Sequence, residues 1–470
     1  MTISRRDALM ATLFGGSMIG LRSIATGLPA KMILDPKKAL ADLSDQQCLG
    51  DAGKAQFLIM QTSGSGDPFS CNAPGTYDYG GTVNTGTNYG ALSHPSDAAS
   101  GVAGIDPVAV AFGNGTFKAA GPWGTLPPAV LQQTCVFHLM TNTPVHPKEP
   151  QVLSLMGATP YNEMFPSLLA MQLAPCLGTL QTQPISVGAA SPSEGLTFKG
   201  QALPTIPPTS LAATLTSSQA TAFKGMTNLQ SLRDQTLNDM NTWYKDSAQT
   251  SPAQKAYIDS MVTSQQQVRG IAQSQLSMLQ GITKNDNSGQ ITAAVALILM
   301  KVTPVIAVHF PFGGDNHADP NLTAEATQTV SGMQAIVQLM AALSSAGLSD
   351  KVSFLSLNVF GRTMDVAKYT DGRNHNQDHE CSIMIGKPFK SAVIGGMWPS
   401  NTKLLQGAAD FGCMPIDSKT GLPNSSGDVA PVETLSSWAK TIMTGVGVSD
   451  DQITASITDT NAKVIAGALT

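Results

Sequence analysis

Apolar residues cluster along the chain in two recurring forms: short continuous runs closed by turn-forming residues, and longer stretches in which they return every three or four positions. AQFLIMQ (55–61), VAVAF (108–112), CVFHLM (135–140), PVIAVHF (304–310), VSFLSLNVF (352–360) and CSIMIG (381–386) belong to the first form. Runs this short, bounded by Gly, Asn, Asp or Ser, read as buried strands. AAVALILMK (293–301) and the segment at about 323–346 belong to the second form and read as helices. Between 209 and 282, Leu229, Leu232, Met240 and Trp243, then Tyr257, Met261, Val268 and Ile271, keep helical spacing on either side of Ser251-Pro252. That stretch predicts a helical hairpin inserted after the Pro-rich linker LPTIPP (203–208), its Met and aromatic stripe serving as core packing. Helix and strand alternate through the C-terminal half. The alternation predicts an α/β domain, a doubly wound, largely parallel sheet with helices on both faces. In such sheets the loops leaving the strands line the site. Asp67, His146, Asp315, His317, Arg362 and His375 all fall in segments placed just after strands.

Composition supports a packed protein. Of 470 residues, 42% are apolar and 13% charged, enough to bury a sizeable core in one elaborated domain over 42–470. The net charge of −5, with no run of Lys and Arg interleaved with aromatics, excludes a nucleic-acid partner. The N-terminal segment 1–41 changes the picture more. Ser4-Arg5-Arg6-Asp7 precedes the apolar ALMATLFGGSMIGL, with small-residue sites at Leu28-Pro29-Ala30 and Ala39-Leu40-Ala41. This pattern reads as a twin-arginine export signal. The apolar stretch is shorter than the roughly 20 residues a bilayer span needs and ends at Arg22, so the mature form is expected to carry no transmembrane span. A periplasmic, cell-surface or secreted location follows. Cys48, Cys71, Cys135, Cys176, Cys381 and Cys413 can then form disulfides, with pairing left open; the absence of C-x-x-C speaks against a zinc ribbon or dithiol centre.

Asp315-Asn316-His317 sets a carboxylate and an imidazole two residues apart, so in an extended turn both can face one divalent ion such as zinc, manganese or iron. His375 and His379 have the i, i+4 spacing of H-E-x-x-H, but H-N-Q-D-H lacks the glutamate base and runs into a strand, which argues against a metalloprotease. Arg362 and Arg373 can grip a phosphate or sulfate bidentately, or pair with Asp365, Asp371 or Asp378. His138 and His309, inside apolar runs, read as core histidines. His379 reads as structural, and His94 carries no assignment. No phosphate-binding loop, dinucleotide fingerprint or G-x-S-x-G elbow is present.

Several segments, in order, resemble the twin-arginine-exported family described as domain of unknown function 1501. AAVALILMKVTPVIAVHFPFGGDNH is similar to that family's helix, strand and G-G-W-D-T-H turn, and VFGRT to its E-F-G-R-T. GRNHNQDHECSIMIG is similar to its G-R-D-H and following strand, HLMTNTPVHPKEP to its N-N-H loop, and DVAPVETLSSWAKTIMTGVGV (428–448) to its closing segment. The family is grouped with the alkaline phosphatase and sulfatase superfamily. The resemblance therefore implies an alkaline phosphatase-like fold in which Asp and His at strand ends hold metal and phosphate or sulfate esters are hydrolysed. Carried over residue by residue, it implies Asp67, Asp315, His317 and His375 as ligands, with Arg362 and His146 in catalytic positions.

Two positions depart from the family pattern: its Glu before Phe-Gly-Arg-Thr is Val359 here, and the Asp of G-R-D-H is Asn374. Both changes remove anionic donors. Asn358 and Asp378 are candidate replacements, and Ser63, Ser65, Thr141 and Thr143 are candidate nucleophiles by proximity in sequence. Two readings stand side by side. One is an exported metal-dependent hydrolase whose ligand is a small anionic ester or a polysaccharide-type molecule. The other is a superfamily member that has lost its metal and serves as an extracytoplasmic binding or assembly protein with a protein partner. The first requires Asp67, Asp315, His317 and His375 to converge on one point.

Overall fold

The computed structural model describes residues 48–65, 68–77, 92–179, 181–188, 195–215, 273–312, 314–364, 372–399 and 410–470, with single residues at 239, 242, 243, 246 and 255. The expected export signal, Asp67, and most of the expected hairpin lie outside these residues. Of the hairpin only its two ends are described at length, as helices Pro208–Leu215 and Gln273–Gln280.

Eight strands form the central sheet: β1 (Phe57–Ser63), β2 (Thr134–Leu139), β3 (Ile185–Val187), β4 (Thr205–Ile206), β5 (Val305–Val308), β6 (Val352–Asn358), β7 (Glu380–Ile385) and β8 (Ala392–Ile394). Their order is β8-β2-β7-β6-β1-β5-β3-β4. β1 pairs in parallel with β6 along its whole length, Phe57 against Val352 to Ser63 against Asn358, and with β5 on its other side. β7 runs antiparallel to both its neighbours, β6 and β2. Two reversals restore direction, so β2, β6, β1 and β5 all point the same way. Their carboxyl ends open onto one edge of the sheet.

The parallel strands are apolar on both faces because both faces are covered. Successive β1 residues divide between two cores. Phe57 and Ile59 join one with Ile306, Phe354 and residues of helices α2 (Asn287–Leu299) and α3 (Thr323–Ser345). Leu58 and Met60 join the other with Val305, Leu355 and residues of α1 (Phe165–Leu177) and α4 (Thr434–Gly445). The chain is thus α/β, with a mostly parallel sheet flanked by helices on both faces.

The structure departs from expectation in three places. VAVAF is a strand, but it forms a surface hairpin with Gly115–Ala119 around Gly113-Asn114 instead of entering the sheet. Its alternation of exposed and buried positions is that of a half-covered strand. The LPTIPP linker contains the edge strand β4, two residues long and below the length at which periodicity can be read. Helix α1 gives little amphipathic signal because most of its residues are buried.

Among the described residues one disulfide, Cys48–Cys176, ties the start of the described chain to α1; Cys71, Cys135, Cys381 and Cys413 are buried thiols outside it. Among the described residues no helix is long and apolar enough to cross a membrane.

Candidate metal centre

Four loops at the common edge of the sheet supply the site. The chain leaving β5 turns through Gly314 and presents Asp315 and His317. After β2, Pro144 and Val145 lead into the short 3-10 turn His146–Lys148, where Pro147 occupies an early position that needs no N–H donor. After β6, Gly361–Arg362 pairs antiparallel with His375–Asn376, setting Arg362 directly opposite His375. Cross-strand partners share a face, which brings the arginine and the histidine to one place.

His146, Asp315, His317 and His375 each offer one donor atom, and these atoms lie within 4.8 Å of one another. His317 Nε2 is 2.8 Å from His375 Nε2 and 3.3 Å from Asp315 Oδ1. His146 Nε2 is 3.7 Å from the same carboxylate oxygen. The outer ring nitrogens are committed elsewhere. His146 Nδ1 is 2.6 Å from the Gly64 carbonyl and His375 Nδ1 is 2.6 Å from the Pro144 carbonyl, contacts that require an N–H at each Nδ1. In the neutral rings the lone pairs are therefore on Nε2, facing inward. Backbone carbonyls that fix the tautomer of a ligating histidine are the usual outer layer of a metal site. Two imidazole nitrogens at 2.8 Å beside a carboxylate need a proton or a cation between them.

Local electrostatics keep the donors available. Burial, reinforced by the charge of Arg362 and the neighbouring imidazoles, pushes His375 down to about 4, against the hydrogen bond to Pro144. Burial and Arg362 also lower His317, against the pull of Asp315. For Asp315 burial acts to raise the pKa, but the hydrogen bond and charge of Arg362, with His317 and His146, outweigh it and hold the carboxyl below its ordinary value. Near neutral pH His317 and His375 are thus neutral and Asp315 is ionised.

Arg362 forms the floor. It is fully buried, and its Nη2 donates to Asp315 Oδ1 at 3.0 Å, to the Gly314 carbonyl at 2.8 Å and to the Ser65 carbonyl at 2.6 Å. Its Nε and Nη1 are buried with no hydrogen-bond partner among the described residues. Phe360 supplies an apolar plate, with the His375 ring stacked at 4.3 Å, the His146 ring edge-on at 4.9 Å and the guanidinium 5.4 Å from its centre. Asp315 and His317 stay open to solvent, with side chains 58% and 43% exposed. A ligand can reach them from outside.

Asp315, His317 and His375 of the expected ligand set come together, joined by His146 and Arg362, while Asp67 lies outside the described residues. His146, expected in a catalytic position, stands within the donor set itself. Arg373 takes a different part from either expected one. It forks onto Glu325, Nε to Oε2 at 2.5 Å and Nη2 to Oε1 at 3.0 Å, with both residues fully buried. Its remaining donors bond the carbonyls of Ser93, Thr363 and Met364, so it holds loops together and has no hand free for an anion. Sequence reasoning missed Glu325, which is hidden in the helix pattern of α3. Val359 is buried in the core on the α1/α4 side, and Asn374 accepts the His375 N–H at 2.9 Å. Asp378 is buried and outside the four-residue group. Among the candidate nucleophiles, Thr141 and Thr143 are buried, Ser63 Oγ accepts the Ser65 N–H, and Ser65 is exposed with its carbonyl on Arg362.

A scan of protein-family models finds no match to the chain, and neither does a search of curated proteins.

Proposed function

We propose that the protein is an exported metal-dependent hydrolase of phosphate or sulfate esters, built on an alkaline phosphatase-like fold. The observation that carries this reading is the inward convergence of three imidazole nitrogens and one carboxylate over an arginine with unpaired buried donors. Neutral imidazole and carboxylate suit zinc first, and manganese or iron after it. His146, Asp315, His317 and His375 would hold the ion. A bound divalent ion supplies Lewis-acid polarisation of the ester and a more acidic water. Arg362 contributes a fixed positive charge and N–H groups to the anionic oxygens of the ester, and it is already desolvated and oriented by Asp315. Ser65, exposed and on the rim, is the nucleophile candidate best placed to reach an ester held by Arg362. The order of motifs resembling the domain of unknown function 1501 family supports the same reading. So does the Cys48–Cys176 disulfide, which suits an oxidising compartment outside the cytoplasm.

Val359 and Asn374 favour the second reading, a protein that binds and does not turn over, because the centre has a single carboxylate where the family pattern has more. One experiment separates the two. Metal content and hydrolysis of a panel of aryl phosphate and sulfate esters are measured on the intact chain and on Asp315→Ala/His317→Ala. Near-stoichiometric metal and turnover, both lost in the double variant, support the hydrolase. Metal retained without turnover of any ester supports the binding role, and absence of metal in the intact chain rejects a metal centre here.

A further inference from the structure

A second cluster of donors lies within the sheet, at the pairing of β2 with β7. Cys381 on β7 stands in register opposite His138 on β2. His379 is two residues before Cys381, so strand alternation puts both on the same face. The three side chains are completely buried, and His138 Nδ1, His379 Nε2 and Cys381 Sγ approach one another. The sulfur is 3.6 Å from His138 Nδ1 and 3.8 Å from His379 Nε2, and the two nitrogens are 2.9 Å apart. An ion with bonds of about 2.05 Å to nitrogen and about 2.3 Å to sulfur would separate N from S by about 3.6 Å in tetrahedral and about 3.8 Å in trigonal geometry. The nitrogen–sulfur distances already match, and only the nitrogen pair must open, by about half an ångström.

The outer contacts are also those of a ligand set. His138 Nε2 is 3.0 Å from the Pro74 carbonyl, which places the N–H there and the lone pair on Nδ1, facing the cluster. Gly75 comes so close that an added Cβ would lie 3.1 Å from His138 Nε2. Its φ of +90°, a conformation open to glycine, lets the chain pass over the ring. The Cys381 thiol lies 3.7 Å from the Ser70 carbonyl, a weak acceptor for its hydrogen before any ion binds. Among the described residues His379 Nδ1 has no hydrogen-bond partner. The i, i+4 histidines of H-N-Q-D-H therefore serve two different places, His375 at the open centre and His379 at this closed one.

We propose that His138, His379 and Cys381 form a second, buried metal site for a soft monovalent ion, copper(I). Thiolate with imidazole selects copper(I) or zinc. Charge decides between them in a closed site. One thiolate neutralises a monovalent ion, whereas the three ligands supply no second anion for a divalent one, whose residual charge is costly to bury. On binding, Cys381 releases its proton to solvent and the proton of His379 Nε2 moves to Nδ1, leaving Nε2 as donor. The ion enters as the chain folds, since the finished site is closed.

The test uses the full chain carrying His317→Ala, which disables the open centre, expressed with copper supplementation and then challenged with a copper(I) chelator. Expected are about one retained copper per chain and an X-ray absorption shell of one sulfur and two nitrogens, with copper retention lost in Cys381→Ser. A folded chain that keeps no copper overturns the proposal, as does zinc in its place, a shell without sulfur, or copper kept in Cys381→Ser. The shell is read on the His317→Ala chain alone, so the outcome stands even where Cys381→Ser fails to fold.

Discussion

At the scale of single residues, Arg362 and the buried imidazoles make the sharpest predictions. Among the described residues Arg362 is the buried side chain of the centre that combines a fixed charge with unpaired donors, and the proposed hydrolase has it meet an anion. A lysine keeps the charge but offers neither the fork nor the spread of donors. Arg362→Lys is therefore expected to lower kcat/KM for the best ester by on the order of 100-fold while metal content stays near that of the parent. Equal loss of metal would instead make Arg362 a support for Asp315. The buried pair at β2 and β7 gives a pH prediction for protein expressed without copper. Burial pushes His138 down to about 4 and, with the His138 neighbour adding to the effect, holds His379 well below its ordinary value. The unfolded chain takes up those protons at about 6.5 and the folded chain resists, so stability is full above that pH and falls as the pH drops toward 4. By about pH 5 the loss for one such histidine is on the order of 2 kcal/mol. Urea midpoints across pH 7 to 5 read it, and His138→Gln should flatten the curve. The residues of the open centre were legible because strand-end Asp, His and Arg next to Gly are rarely needed for packing. Pairing of His138 with His379 was not legible, since it depends on a cross-strand register that no local pattern encodes.

At the scale of elements, α3 joins the fold to the site through two contacts. Its N-terminus is held by Asp319, whose carboxylate accepts the N–H groups of Ala324 and Glu325. One turn in, Glu325 holds Arg373, the residue that starts the strand leading to His375. Removing one member of a buried pair leaves an uncompensated charge, at a cost of about 3–5 kcal/mol. Glu325→Ala is expected to fall in that range in urea unfolding, and to loosen metal binding by displacing His375. Gly332 makes the other contact. Alanine in a helix interior is favoured over glycine by about 1 kcal/mol. Here, however, an added Cβ would lie 2.1 Å from the Phe312 ring, just ahead of the turn that carries Asp315. Overpacking of this kind costs about 1–3 kcal/mol. The clash should win, with Gly332→Ala lowering Tm despite its better propensity, and an unchanged or raised Tm would mean that Phe312 moves aside freely. Long runs such as β1 and β6 were read correctly because burial on both faces leaves a continuous apolar signature. The direction of β7 was not readable, because antiparallel and parallel central strands carry the same composition when both faces are covered. Strands of two or three residues, β3, β4 and β8, gave no signal because their pairing is fixed by neighbours.

At the scale of the whole molecule, the disulfide fixes the conditions under which the fold holds. Cys48 and Cys176 are separated by 128 residues, and the loop they close contains β1, the Ser65 segment, β2 and His146. The cross-link therefore closes a loop that carries one of the four donors, although neither cysteine belongs to the donor set. Restricting an unfolded loop of this length is worth about 4–5 kcal/mol in the chain-entropy account, an upper range because real unfolded chains are already compact. The cores on the two faces of the sheet remain after reduction, since all the packing residues on β1, β5 and β6 are in place without the bond. The reduced protein is thus expected to stay folded at room temperature but to unfold at a distinctly lower Tm. Cys176→Ser should show the same Tm as the reduced parent and should no longer respond to reductant. If the bond acted by shaping the site, the variant would lose metal affinity at temperatures where it is fully folded. If it acts through the unfolded chain, as the absence of both cysteines from the donor set argues, metal content at room temperature will be unchanged and only the unfolding temperature will move.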